Sequence, residues 1–107
     1  MTPSGNPGKH HEDRHLKDAQ LEFKTTARRN RLLGLWAADK LGLAGEEAQA
    51  YAKEVVHADF DEPGDEDVVR KLVADFADKN VAVSDAEIRS EMVKLLGVAR
   101  DQIVAEQ

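Results

Sequence analysis

The sequence predicts an all-α protein, a four-helix bundle that follows a disordered N-terminal segment. Apolar residues recur at spacings of three and four in four separate stretches, which is the pattern of one face of a helix. No stretch alternates apolar and polar residues for long enough to indicate a strand. The 107 residues are 41% hydrophobic but only 5% aromatic, so we expect a single domain with a modest, largely aliphatic core.

The first helix is predicted to run from Glu12 or Leu16 to Leu41. Its first half is amphipathic and basic, and its second half is apolar on nearly every side, so the second half should be the more buried. Gly42 is expected to end this helix, because glycine readily adopts the left-handed conformation that closes a helix. Gly34, inside the helix, indicates a place where another helix packs closely.

Three shorter helices are predicted to follow. The second runs from Glu46 to Phe60 and the third from Glu66 to Lys79, with a turn between them. Asp65 is the expected N-cap of the third helix, since a carboxylate there accepts hydrogen bonds from free backbone N–H groups. Asn80 is expected to close it.

The fourth helix is predicted to begin at a capping box formed by Ser84 and Glu87 and to run toward the C-terminus. The apolar positions of the four helices together predict the core. These core positions are Leu33, Trp36, Leu41, Tyr51, Val55, Phe60, Val69, Leu72, Phe76, Ile88, Met92, Leu95 and Leu96.

Residues 1–15 are predicted to be a disordered tail and a candidate binding segment, and residues 16–107 the four-helix domain. Residues 1–9 contain two prolines, two glycines and almost nothing to bury. Residues 1–31 carry seven Lys or Arg against four acidic residues, and since the whole chain has a net charge of -6, the remainder is at -9. A basic leading segment on an acidic body indicates a contact element. The acidic body argues against nucleic-acid binding.

Several classes of function are excluded or disfavoured by composition. The chain has no Cys, which excludes disulfide scaffolds, Cys-ligated zinc and thiol catalysis. No apolar run approaches the roughly 20 residues that cross a bilayer, and the N-terminus has no signal-peptide apolar region. We therefore expect a cytoplasmic protein without direct membrane insertion. Nothing indicates a nucleophile elbow or a catalytic triad, so we expect no enzymatic activity.

Two acidic or histidine-containing stretches resemble metal sites in part. The run from His11 to His15 matches the H-E-x-x-H pattern of zinc proteases. It lies in the predicted tail, with only His57 or a surface carboxylate as a third ligand, so we interpret the match as coincidence. The acidic run from Asp59 to Asp67 lacks the spacing of a calcium loop and is interpreted as a capped, solvated turn. We predict no metal and no cofactor.

The basic cluster from Arg28 to Arg31 has three possible interpretations. It is a solvated helix face, an interface with an acidic or polar protein surface, or a contact with nucleotide phosphates. The chain has neither a glycine-rich phosphate loop nor aromatic residues interleaved with the arginines.

Three segments, in order, resemble the zeta subunit family of bacterial ATP synthases. They are FKTTARRNRLLGLWAADKLG from Phe23 to Gly42, AQAYAKEVVHADF from Ala48 to Phe60, and EPGDEDVVRKL from Glu62 to Leu72. The resemblance covers roughly Asp18 to the C-terminus. It implies a small four-helix body and a natural inhibitor of the ATP-hydrolysing direction of the enzyme. It also implies that the N-terminal segment wedges between catalytic subunits and the central stalk.

We expect a monomeric free form, cytoplasmic and peripheral to the inner membrane through ATP synthase. His11 and His15 stand where the family pattern has aromatic anchors, so we expect weak inhibition here. The alternative function is a small helical adaptor that binds another protein or a nucleotide through the cluster from Arg28 to Arg31. The expected partner-binding residues are Glu12, Arg14, Leu16, Lys17, Leu21, Phe23, Lys24, Arg28 and Arg29.

Overall fold

The fold was analysed in a computed structural model, which describes residues 7–59 and 64–107, with side chains from Asp18 onward. Four helices follow one another: α1 (Pro7–Lys40), α2 (Gly45–Ala58), α3 (Glu66–Asp78) and α4 (Asp85–Ala105). The described ranges contain no strand. The predicted all-α fold is confirmed, and α1 packs against both α2 and α4.

The start of α1 differs from the prediction. The helix begins at Pro7, ahead of the predicted start at Glu12 or Leu16, so residues 7–15 of the predicted tail have helical backbone. Proline is favourable at the first position of a helix, because its missing N–H has no intrahelical partner there and its fixed φ suits the helix. Residues 1–6, the rest of that predicted tail, lie outside the described residues.

The predicted glycine and asparagine stops are confirmed. Gly42 has a φ of 80° and donates its N–H to the carbonyl of Asp39 at 3.2 Å, while the N–H of Leu43 reaches the carbonyl of Ala38 at 2.9 Å. These two bonds form a Schellman motif, which satisfies carbonyls left free at the end of a helix. Asn80, with a φ of 57°, ends α3 in the same way.

The two predicted N-terminal caps have different outcomes. The capping box of α4 is confirmed, with the Glu87 N–H donating to Ser84 Oγ at 3.0 Å and the Ser84 N–H donating to Glu87 Oε1 at 3.3 Å. Asp65 occupies the N-cap position of α3, but its side chain makes no cap hydrogen bond. Its carboxylate is instead bound by Arg29 of α1.

The predicted core is largely confirmed. All described members of the predicted set are buried except Trp36, Leu41, Leu95 and Leu96, which are half-buried, and Phe60 lies outside the described residues. The ring of Trp36 packs edge-on against Phe76, with 6.0 Å between centroids. Buried hydrophobic residues outside the predicted set are Ala37, Ala38, Ala52, Val68, Ala99 and Ile103, and the buried polar residues are Thr25, Arg29 and Asn30.

The N-terminal part of α1 extends beyond the bundle. The molecule measures 67 × 26 × 20 Å. Among the described side chains of α1, the first buried one is Thr25, and those before it are exposed or, at Leu21, half-buried. At about 1.5 Å per residue, the stretch from Pro7 to Lys24 is about 27 Å long, and we call it the arm.

Candidate functional site: the arm and its junction with the bundle

The described end of the arm carries apolar and basic side chains in an exposed setting. Phe23 is 62% exposed, Lys24 is exposed and Leu21 is half-buried. An aromatic side chain exposed to this degree on a helix provides an apolar surface that binding to another protein would remove from water. Four predicted site residues belong to α1 but have side chains outside the described part of the chain. They are Glu12, Arg14, Leu16 and Lys17.

Arg28 connects α1 to the end of α4. Its guanidinium donates to both carboxylate oxygens of Glu106, at 2.8 and 2.9 Å, and to Gln102 Oε1 at 2.8 Å. The hydrogen bond from Arg28 holds the pKa of Glu106 below its usual value. Because Glu106 is exposed, this bidentate pair adds geometric definition more than stability.

Arg29 lies inside the domain, where it pairs with the start of α3. It is 4% exposed and donates to Asp65 Oδ1 at 2.8 Å and Oδ2 at 3.2 Å. Its Nε and one terminal nitrogen also donate to Asn30 Oδ1, at 3.0 and 2.8 Å. The expectation that Arg29 contacts a partner therefore does not fit its position, because the guanidinium is buried and already occupied within the chain.

Asn30 completes a polar group between α1 and the ends of α2 and α3. Its Nδ2 donates to Asp59 Oδ2 at 3.0 Å, so Asn30 holds the C-cap residue of α2 while Arg29 holds the N-cap residue of α3. We call Arg29, Asn30, Asp59, Asp65 and Asp67 the junction cluster. This cluster was not predicted, because its three aspartates belong to the run from Asp59 to Asp67 that was interpreted as a capped, solvated turn.

The arginines of the predicted basic cluster diverge in the structure. Arg28 contacts α4 and Arg29 contacts the start of α3, whereas Arg31 is exposed and donates to Gln49 of α2 at 3.4 Å. Neighbouring positions on a helix point about 100° apart, which explains the divergence. The three guanidinium groups do not form one phosphate-binding surface.

A shallow pocket lies where the arm meets the bundle. It is lined by Phe23, Thr26, Ala27, Asn30, Val56 and Asp59. One wall therefore comes from α1 at the base of the arm and the other from the last part of α2. The pocket brings an exposed aromatic ring of the arm and two members of the junction cluster to the same surface.

The described part of the chain has neither a metal-binding cluster nor a membrane-spanning helix. Within it, no group of three or more His, Asp or Glu side chains is arranged to hold a metal ion. None of its helices is both long and apolar enough to cross a bilayer.

A small helical bundle in which one helix extends into an exposed arm is the class of fold that the structure defines. Comparison with known proteins specifies the family. The chain matches the family described as ATPase inhibitor subunit zeta over residues 5–102, and it belongs to that family. The prediction from the sequence is confirmed at this level.

Comparison with solved structures supports the same fold. A protein whose structure was determined by solution NMR is 48% identical to this chain, over 81% of this chain and 99% of that one, with a TM-score of 0.73. No curated protein matches the chain.

Proposed function

We propose that this protein is a regulatory subunit that inhibits ATP hydrolysis by bacterial ATP synthase, binding the catalytic sector through its arm. The observation that carries the proposal is the extension of α1 beyond the bundle with exposed apolar and basic side chains. Membership of a family described as an ATPase inhibitor subunit supports the choice of partner. Inhibition by a wedge requires no chemistry from the inhibitor, so the protein acts without catalytic residues.

The arm is suited to binding in a groove as a preformed helix. An amphipathic helix in a groove derives most of its affinity from a few apolar anchors that become desolvated, and its charged residues set register and association rate. Phe23 is the exposed anchor on the described part of the arm, and Lys24 is the adjacent cation. Leu21 is two positions earlier, about 200° around the helix, so it would contact a second surface of the partner. Because the backbone is already helical in this stretch, binding loses less conformational entropy than ordering a coil would.

Arg28 contributes to the interface only by exchanging partners. In the free protein its guanidinium is taken by Glu106 and Gln102. A carboxylate of the catalytic sector would have to replace Glu106, and the net gain of such an exchange is small. The principal contacts are therefore assigned to the arm before Thr25, with the bundle held outside and the protein peripheral to the membrane.

The direct test measures ATP hydrolysis by the isolated catalytic sector at increasing concentrations of the full chain. We expect a dose-dependent loss of hydrolysis, and we expect Phe23→Ala to raise the half-inhibitory concentration about 5- to 30-fold, as loss of an anchor worth roughly 1–2 kcal/mol implies. Val93→Ala is the matched control, because Val93 is 74% exposed but lies on α4. Unchanged hydrolysis at every concentration of the parent protein would reject the proposal.

A further inference from the structure

The junction cluster contains more carboxylates than its own groups compensate. Asp59, Asp65 and Asp67 contribute three carboxylates, while Arg29 is the one cation among its five members and pairs with Asp65 at 2.8 Å. Arg70 of α3, outside the cluster, pairs with Asp67 at 2.8 Å, so Asp59 is the carboxylate whose described hydrogen-bond donor is the neutral amide of Asn30. Two carboxylate oxygens, Asp59 Oδ1 and Asp67 Oδ2, are buried without a hydrogen-bond partner among the described residues. A buried polar atom in this state costs free energy, so the charged form of the cluster is a disfavoured state of the fold.

Asp59 is the member of the junction cluster whose protonation would most directly lower the free-energy cost of burying these carboxylates. Burial raises the pKa of its carboxyl, the hydrogen bond from Asn30 lowers it, and the nearby charge of Asp65 raises it again. From the other elements, Arg29 on α1 lowers the pKa and Asp67 on α3 raises it. The outcome is a pKa above the usual value for Asp, which agrees with the orphaned oxygen seen in the geometry.

We propose that Asp59 is a proton-binding site that acts as a pH switch at the base of the arm. A proton on Asp59 removes one of three crowded negative charges and gives the carboxyl group a donor as well as an acceptor. The inference goes beyond the proposed function and does not depend on it.

The route from Asp59 to the arm is short. Asp59 accepts the hydrogen bond of Asn30, which lies on α1 itself. Both residues line the pocket that also contains Phe23, Thr26 and Ala27. Protonation of Asp59 changes its charge and adds a hydrogen-bond donor. It therefore alters the surface at the end of α2 against which the first buried turns of α1 pack.

The first measurement is an NMR titration of the full chain from pH 8 to pH 2.5, observing side-chain carboxyl carbons and backbone amides. We expect Asp59 to titrate with a midpoint above the value of about 3.9 for Asp in unfolded peptides. The amides from Phe23 to Asn30 should shift with the same midpoint. Asp59→Asn should abolish the shift of these amides, whereas Asp101→Asn, an exposed site on α4, should preserve it.

The second measurement follows Tm for the parent protein, Asp59→Asn and Asp101→Asn at pH 7.5 and at pH 3.5, below the unfolded pKa of Asp of about 3.9. A group whose folded pKa is raised contributes stability that is present below its unfolded pKa and is lost as pH rises through the folded pKa. The parent protein therefore lacks this contribution at pH 7.5. Asp59→Asn, which keeps an acceptor for Asn30 and carries no charge, should have the higher Tm there.

The expected outcome is a Tm advantage of Asp59→Asn that narrows at pH 3.5, together with no such trend for Asp101→Asn. An advantage of equal size at both pH values, or none at pH 7.5, overturns the proposal. It is equally overturned if Asp59 titrates at or below about 3.9 or if the amides from Phe23 to Asn30 do not follow it.

Discussion

Among single residues, Gly34 sets how closely α1 and α2 approach each other. A Cβ added at Gly34 would lie 2.6 Å from Ala52 Cα and 3.2 Å from Val55 Cγ2. The first neighbour is backbone, so a rotamer change cannot relieve the contact. Gly97, in the middle of α4, has nothing within 4 Å of the same added atom. Gly34 is therefore required by the close packing of α1 on α2, whereas no packing contact requires a glycine at position 97.

Gly34→Ala and Gly97→Ala are expected to change stability in opposite directions. Alanine improves helix propensity by up to about 1 kcal/mol at either site. At Gly34 this gain is outweighed by the shift of α2 that the new methyl group requires, for a net loss of about 1–3 kcal/mol. Chemical denaturation of both variants measures the two free energies of unfolding. Equal stability of the two variants would show that the contact between α1 and α2 is not tight.

The sequence predicts burial well where apolar residues are regularly spaced and less well for single large residues. Leu33, Val55 and Ile88 are fully buried as their spacing indicates. Trp36 was placed in the core by the same argument but is half-buried, with Lys40 Nζ 5.2 Å from its ring centroid. Spacing specifies the face of a helix but not how far a large side chain reaches past the partner helix.

At the level of helices, two consecutive residues of α1 hold both ends of the connection between α2 and α3. Arg29 binds the N-cap residue of α3 and Asn30 binds the C-cap residue of α2, across 36 and 29 positions of sequence. The helix ends themselves were predictable, because caps and stops are local signals. The junction cluster was not, because no local pattern near Asp59 or Asp65 indicates a partner so far away in the chain.

Arg29→Met is expected to destabilise the protein by about 2–4 kcal/mol. Methionine preserves much of the apolar stem but leaves Asn30 Oδ1 buried without its donors and Asp65 without its cation. The loss is kept below that of a fully buried pair because the Asp65 side chain is 46% exposed. Arg31→Met is the matched control, exposed and two positions away, and should have little effect. Urea denaturation measures the free energy of unfolding of both variants. If Arg29→Met lowers it only slightly, the ion pair between Arg29 and Asp65 does not stabilise the connection between α2 and α3.

For the whole molecule, one continuous helix has two roles. From Thr25 onward the apolar face of α1 is covered by the bundle, whereas Phe23 remains largely exposed. The sequence predicted the domain from residue 16 onward, and the helical spacing of apolar residues continues on both sides of Thr25. Periodicity indicates that a face will be buried, but it does not distinguish burial within the chain from burial against a partner.

The double variant His11→Phe with His15→Phe is expected to have a half-inhibitory concentration roughly 30- to 1000-fold lower than that of the parent protein. This range assumes that each of the two anchors contributes about 1–2 kcal/mol and that the contributions are additive. The two positions are four apart in α1, a spacing that places residues on the same side of a helix. Imidazole is a poor anchor in a desolvated interface, because its nitrogens must be buried without water and the cationic form costs more still. Phenylalanine carries no such cost and provides more apolar surface.

The measurement is the half-inhibitory concentration of the parent protein and the double variant against the isolated catalytic sector. Ser90→Phe with Lys94→Phe is the matched control, since it adds two aromatic rings four positions apart on an exposed part of α4, away from the arm. The half-inhibitory concentration of this control should equal that of the parent protein, which distinguishes a specific anchor from nonspecific hydrophobic binding. If the parent protein already stops hydrolysis at near-stoichiometric amounts, the expectation of weak inhibition is wrong. If the arm variant gains nothing, positions 11 and 15 are not anchors, and the affinity must arise from Leu21, Phe23 and the basic residues beside them.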